Sequence, residues 1–424
     1  MNLTKIYEKR RQDLGETFSR TLFIISSGLE KPRSHSVFYK YKVPSDFFYF
    51  TGLSANPESV LIIFRQQAYL FLKEQDKQSV LWDGWNIFSD EEKNILGNLK
   101  IESLTRLNEF IQEQVRECDR ISLPIGRDEY IDQMVFAIAK YNGAHGKRKS
   151  GMLMICDSRL LIGQMRMIKE PYEIEQLKIA GKKTSSSFVN LMKKSFVNHS
   201  EKEIGNWIEL EFLKEDMAWT AYVTIVGSAE RSTILHGRPT SKIIKDSEIV
   251  LIDAGGEWNG YCSDVTRVIP AGKRFSAEQR SIYRSVLEAQ TDVIKSIHPG
   301  LTLKSLDTMA RELLFGNLQR VGLDKSVLEE HIQDLMPHST SHWIGLDVHD
   351  PAPYVDDAGK EMQLRAGMCF TIEPGVYFRQ QKFAEYFGIG VRIEDDVVVT
   401  ETGCDLLTHV PKQVEEIEEL RENI

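Results

Sequence analysis

The chain has 424 residues, 42% hydrophobic and 27% charged, a balance that excludes a disordered polymer and allows two or three domains with sizeable cores. Its formal net charge is −9, from 53 basic and 62 acidic residues, and no basic tract is long enough to follow a phosphate backbone, so nucleic acid is not an expected partner. No apolar run reaches the roughly 18–20 residues that span a bilayer, so no membrane association is expected. The charged start "MNLTKIYEKRRQDLGETF" lacks the apolar centre of a signal peptide, which points to a cytoplasmic protein.

In chain order, "RTLFIISS", "SVLIIFR" and "AYLFLK" predict strands within residues 20–80, separated by turn-forming segments. Residues 104–118 and 128–141 have helical spacing, so residues 1–165 read as a small α/β domain. Pro171 opens a long amphipathic helix, with Glu173 near its N-terminus and lysines further along, as the helix dipole favours. Helix continues over Glu201 to Lys214. Residues 221–227 and 247–270 then read as strands, 275–298 and 302–320 as helices, 365–400 as strands, and "PKQVEEIEELREN" as a helix-compatible tail. Strands in runs and helices in runs give residues 166–424 an α+β character, with helices on one face of a curved sheet. The five cysteines, Cys118, Cys156, Cys262, Cys369 and Cys404, are scattered without a CxxC pair and read as buried reduced thiols.

The chemistry concentrates in the second half. "EIVLIDAGGEWNGYCSDVTRVIP" holds two strand-like halves joined through Asn259–Gly260, the strongest short hairpin signal. A turn centred there pairs residues whose numbers sum to 519, so Asp253 faces Thr266 and Asp264 is a diagonal neighbour of Asp253 on the same face. Two converging carboxylates repel unless protons or cations intervene, although one of them could simply be solvated. In "GMCFTIEPGVYF", Glu373 ends an apolar run whose ladder Pro374 stops. In "GIGVRIEDDVVV", Arg392 and Glu394 are two apart and share a face. Either feature alone is more often an ordinary surface or ion-pair element. Together, Asp253, Asp264, Glu373, Glu394 and one imidazole make a mostly oxygen ligand set suited to two hard or borderline divalent ions. Such a pair can hold a nucleophilic hydroxide between them at neutral pH.

"LIDAG", "YCSDVTRVIP", "SHWIGLDVHD", "TIEPGVY" and "GIGVRIEDDVVVT", in that order, resemble the pita-bread metallopeptidases, the family of methionine aminopeptidase, proline dipeptidase, creatinase and aminopeptidase P. "YKYKVPSDFFYFTGL" is similar to the opening domain of the aminopeptidase P branch, and the likeness runs from about residue 8 to residue 415. The resemblance implies a C-terminal pita-bread (creatinase/aminopeptidase-like) domain at 166–424, preceded by a smaller α/β N-terminal domain at 1–165. It implies the metal ligands Asp253, Asp264, His342, Glu373 and Glu394, holding two Mn2+, with Co2+ or Zn2+ as alternatives. It further implies that His349 and His236 face the reacting carbonyl and that His338 lines a proline pocket. Relatives usually follow this last histidine with glycine, whereas Ser339 and Thr340 stand here, and serine lacks glycine's backbone freedom.

By the same resemblance Glu373 acts both as ligand and as proton carrier to the leaving secondary amine. Arg392 orients a carboxylate ligand, and Arg166, in "QMRMIK", approaches the site near the domain junction. In the family, residues of a neighbouring subunit help form the substrate entrance, and Trp82, in "VLWDGW", is a candidate for that role, with an ordinary packed tryptophan as the alternative. The implied activity is removal of the residue that precedes a penultimate proline, by a homo-oligomer, dimer or tetramer. Proline dipeptidase activity is the first alternative and a non-catalytic pita-bread binding module the second. The second requires a lost ligand, and all five positions are intact; creatinase, which typically lacks the full carboxylate set, ranks lower.

Overall fold

Thr21–Ser26 is buried at all six positions because strands flank it on both edges of a six-stranded sheet. In the computed structural model, which describes residues 2–83, 88, 90–145, 153–217, 219–356, 358–422 and 424, the sheet order is Lys100–Ser103, Gln67–Leu72, Val60–Phe64, Thr21–Ser26, Arg120–Leu123, Met154–Asp157. Val60–Phe64 pairs antiparallel with Thr21–Ser26, Leu22 facing Phe64, whereas Arg120–Leu123 runs parallel on the other side. Phe110 and Ile111 of the helix Leu107–Gln114 and Ile131, Val135 and Ile138 of the helix Glu129–His145 pack with Leu22, Ile24 and Ile62. The helix Leu3–Thr17 carries no strong apolar stripe: two of its buried positions are Arg10 and Arg11, which donate to the Tyr49 and Phe50 carbonyls. Two compact units result, Met1–Ile162 and Gly163–Ile424, and the break falls inside the helix Arg159–Met167.

In the second unit the helices begin where their caps dictate. Pro171–Met192 has proline in its first turn and a capping box between Glu170 and Glu173. Glu201–Lys214, Ala277–Ser296 and Leu303–Arg320 start from Ser200, Ser276 and Thr302 with the same reciprocal bonds. The helix Lys325–Leu335 has no counterpart in the sequence reading, because only Leu328 and Leu335 are buried in it.

The strands come in short sheets rather than one. Ile249–Asp253 lies between Ile225–Ser228 and Thr266–Pro270; Cys369–Ile372 pairs with Asp395–Val399, which pairs with Cys404–Leu406; Gly375–Tyr377 pairs with Gly390–Arg392. Pro374 therefore interrupts the ladder without ending it, since the chain resumes pairing one residue later with a different partner. Of the strand expected over 221–227 only the end is formed, within Ile225–Ser228; 221–224 is irregular and follows the separate short strand Trp219–Thr220.

The Asn259–Gly260 turn has the expected geometry. Both residues have positive φ, 48° and 84°, as a type I′ turn requires, and the register is Trp258 with Tyr261 and Asp253 with Thr266. Gly255 makes the close approach near the acidic end possible: a Cβ there would stand 1.7 Å from the Ser263 carbonyl oxygen.

Candidate metal centre

Three backbone junctions bring the acidic side chains together. Thr371 N–H donates to the His342 carbonyl and Glu373 N–H to the Thr340 carbonyl, both at 2.9 Å, so segment 340–343 lies along the strand that leads to Glu373. Glu394 N–H donates to the Thr266 carbonyl at 3.2 Å and ties the end of Gly390–Arg392 to the hairpin. Asp264 N–H donates to Asp396 Oδ2 at 2.9 Å, which holds the other hairpin strand against Asp395–Val399.

His342 Nε2 then lies 3.4 Å from Asp264 Oδ2, 3.7 Å from Glu373 Oε1 and 3.9 Å from Glu394 Oε1. Ligand atoms of Asp264, His342 and Glu394 all fall within 4.8 Å of one another. Asp253 joins through Tyr222, whose hydroxyl is 2.5 Å from both Asp253 Oδ1 and Asp264 Oδ1. The five residues line one cavity of about 420 Å³ that His236, His338, His349 and Arg392 also line.

The electrostatics explain what such a group needs. At an effective dielectric of ~20, two like charges 4 Å apart repel by about 4 kcal/mol. Burial, followed by the charges of Asp264, Glu373 and Asp253, raises the Glu394 carboxyl far above the usual range. Burial raises Asp253 too, with Asp264 adding to the effect and Arg392 opposing it. Glu373 is pushed up to about 7, again by burial, against the attraction of His342 and Arg392. For His342, burial opposes protonation, but the hydrogen bond and charge of Asp264, with Glu373, outweigh it and lift the imidazole to about 9.

Four carboxylates against Arg392 and a protonated His342 leave two negative charges uncompensated (4 − 2 = 2). One phenolic proton on Tyr222 cannot serve both aspartates at once. The oxygen-rich donor set with one imidazole therefore fits divalent cations, which would take the place of the protons that burial now favours. His342 is prepared for this: its Nδ1 faces the Trp343 carbonyl at 3.1 Å, which directs Nε2 toward the carboxylates.

The surrounding residues fix the acids. Arg392 donates to Asp253 Oδ2, to the Tyr377 hydroxyl at 2.9 Å and to Thr266 Oγ1 at 3.1 Å. The Thr266 hydroxyl in turn donates a hydrogen bond to Glu394 Oε2 at 2.6 Å. Tyr222, Thr266 and Tyr377 were not singled out in the sequence. Thr266 stood opposite Asp253 in the expected register but carried no charge to attract notice. Tyr222 sits in the irregular 221–224 segment, where the sequence pattern predicts strand.

The remaining candidates fall in different places. His349 stacks edge-on against His342, with ring centroids 4.4 Å apart. Burial and the neighbouring His342 charge lower its pKa, so the ring is neutral near pH 7. His236 is exposed at the cavity mouth. His338 is held by Ser339 and Tyr377, so the Ser339–Thr340 departure still leaves its ring on the cavity lining. Arg166 is not among the described residues lining the cavity. Its buried guanidinium bonds Asp350 Oδ1 at 2.5 Å and Asp347 Oδ2 at 2.7 Å, the residues that bracket His349. Trp82, on the short helix Lys77–Asp83 of the first unit, is 76% exposed rather than packed.

The signature of metallopeptidase family M24 matches residues 175–401, and that of the aminopeptidase P N-terminal domain matches residues 7–122. Escherichia coli (strain K12) Xaa-Pro aminopeptidase is 32% identical over 429 residues, covering 98% of this chain and 97% of its own. Human Xaa-Pro aminopeptidase 3 is 30% identical over 434 residues, covering 99% and 84%. The mitochondrial intermediate cleaving peptidase 55 of Arabidopsis thaliana is 29% identical, covering 98% and 83%. Among solved structures, E. coli aminopeptidase P with the inhibitor Pro-Leu matches at a TM-score of 0.90 and 31% identity, over 99% of this chain and 98% of that one. The zinc-substituted E. coli enzyme in complex with product matches with the same values.

Proposed function

Because the chain belongs to metallopeptidase family M24, with an aminopeptidase P N-terminal domain before it, we propose that it is a metallo-aminopeptidase that removes the first residue of peptides with proline in second position. The observation that carries this reading is the convergence of Asp253, Asp264, His342, Glu373 and Glu394 on one cavity, with no ligand position substituted. Those five residues would hold two Mn2+, with Co2+ or Zn2+ as substitutes. Divalent ions bound there supply Lewis acidity and a water acidified to near neutrality.

The protein's own groups do the rest. Glu373, a carboxylate on the cavity lining, can take a proton from water and return it to the proline nitrogen as that secondary amine leaves. His349, neutral and without a side-chain hydrogen bond among the described residues, is available to donate to the carbonyl oxygen as negative charge develops on it. His236, at the mouth, is available for the same oxygen. Val223, Leu235 and Val348 give part of the lining an apolar character that suits the pyrrolidine ring. The X–Pro bond lacks an N–H, so a pocket that recognises the ring selects a bond that peptidases relying on that donor bind poorly. Arg392 positions Asp253 and, through Thr266, Glu394. No described helix is long and apolar enough to cross a membrane. A cytoplasmic homo-oligomer, dimer or tetramer, with Trp82 contributed to the substrate entrance by a neighbouring subunit and Arg166 acting through the loop that carries His349, completes the proposal.

The test is to strip the protein with chelator, reload it with Mn2+, and offer Arg-Pro-Pro and Gly-Pro. Release of arginine from the tripeptide, abolished by chelation, is expected. Cleavage of the dipeptide alone would replace this reading with proline dipeptidase.

A further inference from the structure

Arg238 is exposed and lies on the cavity lining, on the segment that carries His236. Of the two arginines there, Arg392 is fully engaged with Asp253, Tyr377 and Thr266. The Arg238 guanidinium has no hydrogen bond or ion pair among the described residues. Its backbone, by contrast, is firmly held. The Arg238 carbonyl accepts from Arg231 Nη2 at 2.8 Å, and Arg231 Nε is paired at 2.9 Å with Glu201, which is fully buried. Glu201 also accepts from Ser228 N–H at 2.9 Å and Thr240 N–H at 3.0 Å, on either side of the segment. Gly237, next in the chain, accepts from Val226 N–H at 3.3 Å. A buried anion thus fixes the platform, and a free cation stands on it.

On the Xaa-Pro aminopeptidase reading, the first residue of the peptide lies at the buried end of the cavity, beside Asp253, Asp264, Glu373 and Glu394. The chain beyond proline then points to the exposed side, where Arg238 is a permanent cation that no described residue neutralises. Resting on the Xaa-Pro peptidase reading, we infer that Arg238 selects peptides bearing a carboxylate on the part that follows the scissile bond. That carboxylate is either the free C-terminus of a short peptide or an acidic side chain just beyond proline.

Two matched pairs separate the sources: Ala-Pro-Ala against Ala-Pro-Ala-amide, and Ala-Pro-Glu-amide against Ala-Pro-Gln-amide. Each is compared by kcat/KM in the Mn2+-loaded wild type, Arg238→Gln and Arg238→Lys. An exposed ion pair supports a preference of about 2–5-fold for the carboxylate member of at least one pair. That ratio should fall to about 1 in Arg238→Gln, remain partly in Arg238→Lys, and shrink as salt is raised. The pair that shows the preference identifies the source. A wild-type ratio of 1 in both pairs, or a ratio unchanged in Arg238→Gln, overturns the role of Arg238 while cleavage of the amides upholds the peptidase reading. If the loaded wild type cleaves none of the four peptides, both readings fall.

Discussion

His338 Nε2 lies 2.8 Å from the Tyr377 hydroxyl, a contact whose direction is set at the other nitrogen of the ring. Nδ1 faces the Ser339 carbonyl at 2.8 Å, which can only accept, so Nδ1 holds the hydrogen and Nε2 accepts from Tyr377. Burial, reinforced by Arg392, lowers the ring's pKa to about 4, so it is neutral at ordinary pH. Tyr377→Phe leaves His338 Nε2 and one Arg392 N–H unpaired inside the protein. We expect a loss of about 1–3 kcal/mol in urea unfolding. A change below about 0.5 kcal/mol would mean that the Tyr377 bridge contributes nothing.

Glu373→Ala removes one of four crowded carboxylates and the proton carrier with it. Activity with Mn2+ should fall by about 10²–10⁴. The metal-free variant should melt no lower than the metal-free wild type, since a repelling charge has gone. Retained activity would dismiss the proton-carrier role.

The acids also predict how metal dependence varies with pH. Glu373, raised to about 7, and His342, raised to about 9, bind protons more tightly folded than unfolded. Their contributions to metal-free stability are complete below the unfolded pKa values, about 4.3 and 6.5, and are lost as pH rises through 7 and 9. Ions replace those protons, so the Tm gap between Mn2+-loaded and chelated protein should widen from pH 5 to pH 8. His338, depressed to about 4, has the opposite sign, its stability being lost as pH falls from 6.5 toward 4. It is no ligand, so it largely cancels from the gap. A gap constant across this range in calorimetry would contradict the assignment of these residues as ligands.

Asp350 balances two buried cations, Arg166 at 2.5 Å and Lys169 at 3.1 Å, and its side chain is 1% exposed. Asp350→Asn leaves Lys169 without its carboxylate and Arg166 with Asp347 alone, so a loss of about 3–5 kcal/mol is expected. Because His349 is the preceding residue, kcat should fall as well. A variant with native stability would show the cluster to be incidental.

Much of the centre was legible because the hairpin is local. Asn259 and Gly260 determine the turn, the turn determines the register, and the register places Asp253 and Asp264 on one face. His342, Glu373 and Glu394 carry no such local signal. Spacing suggested the two glutamates, and only the resemblance selected the histidine. Tyr222, Thr266 and Tyr377 were not legible, since neutral hydroxyls leave no charge pattern and reach the acids through contacts between distant segments. The helix Leu3–Thr17 was hidden for a related reason, because arginines bonded to carbonyls fill part of its buried face.

Asp253 and Asp264 form one hairpin, but His342, Glu373 and Glu394 follow Asp264 by 78, 109 and 130 positions (342 − 264, 373 − 264, 394 − 264). At ~5–20 residues per second, a ribosome needs about 7–26 s to travel from the second aspartate to the last glutamate. For that interval the nascent chain owns half a cage. A hydrolase assembled this way stays silent while it is being made, and its chemistry begins only when the far strands have docked on the near ones.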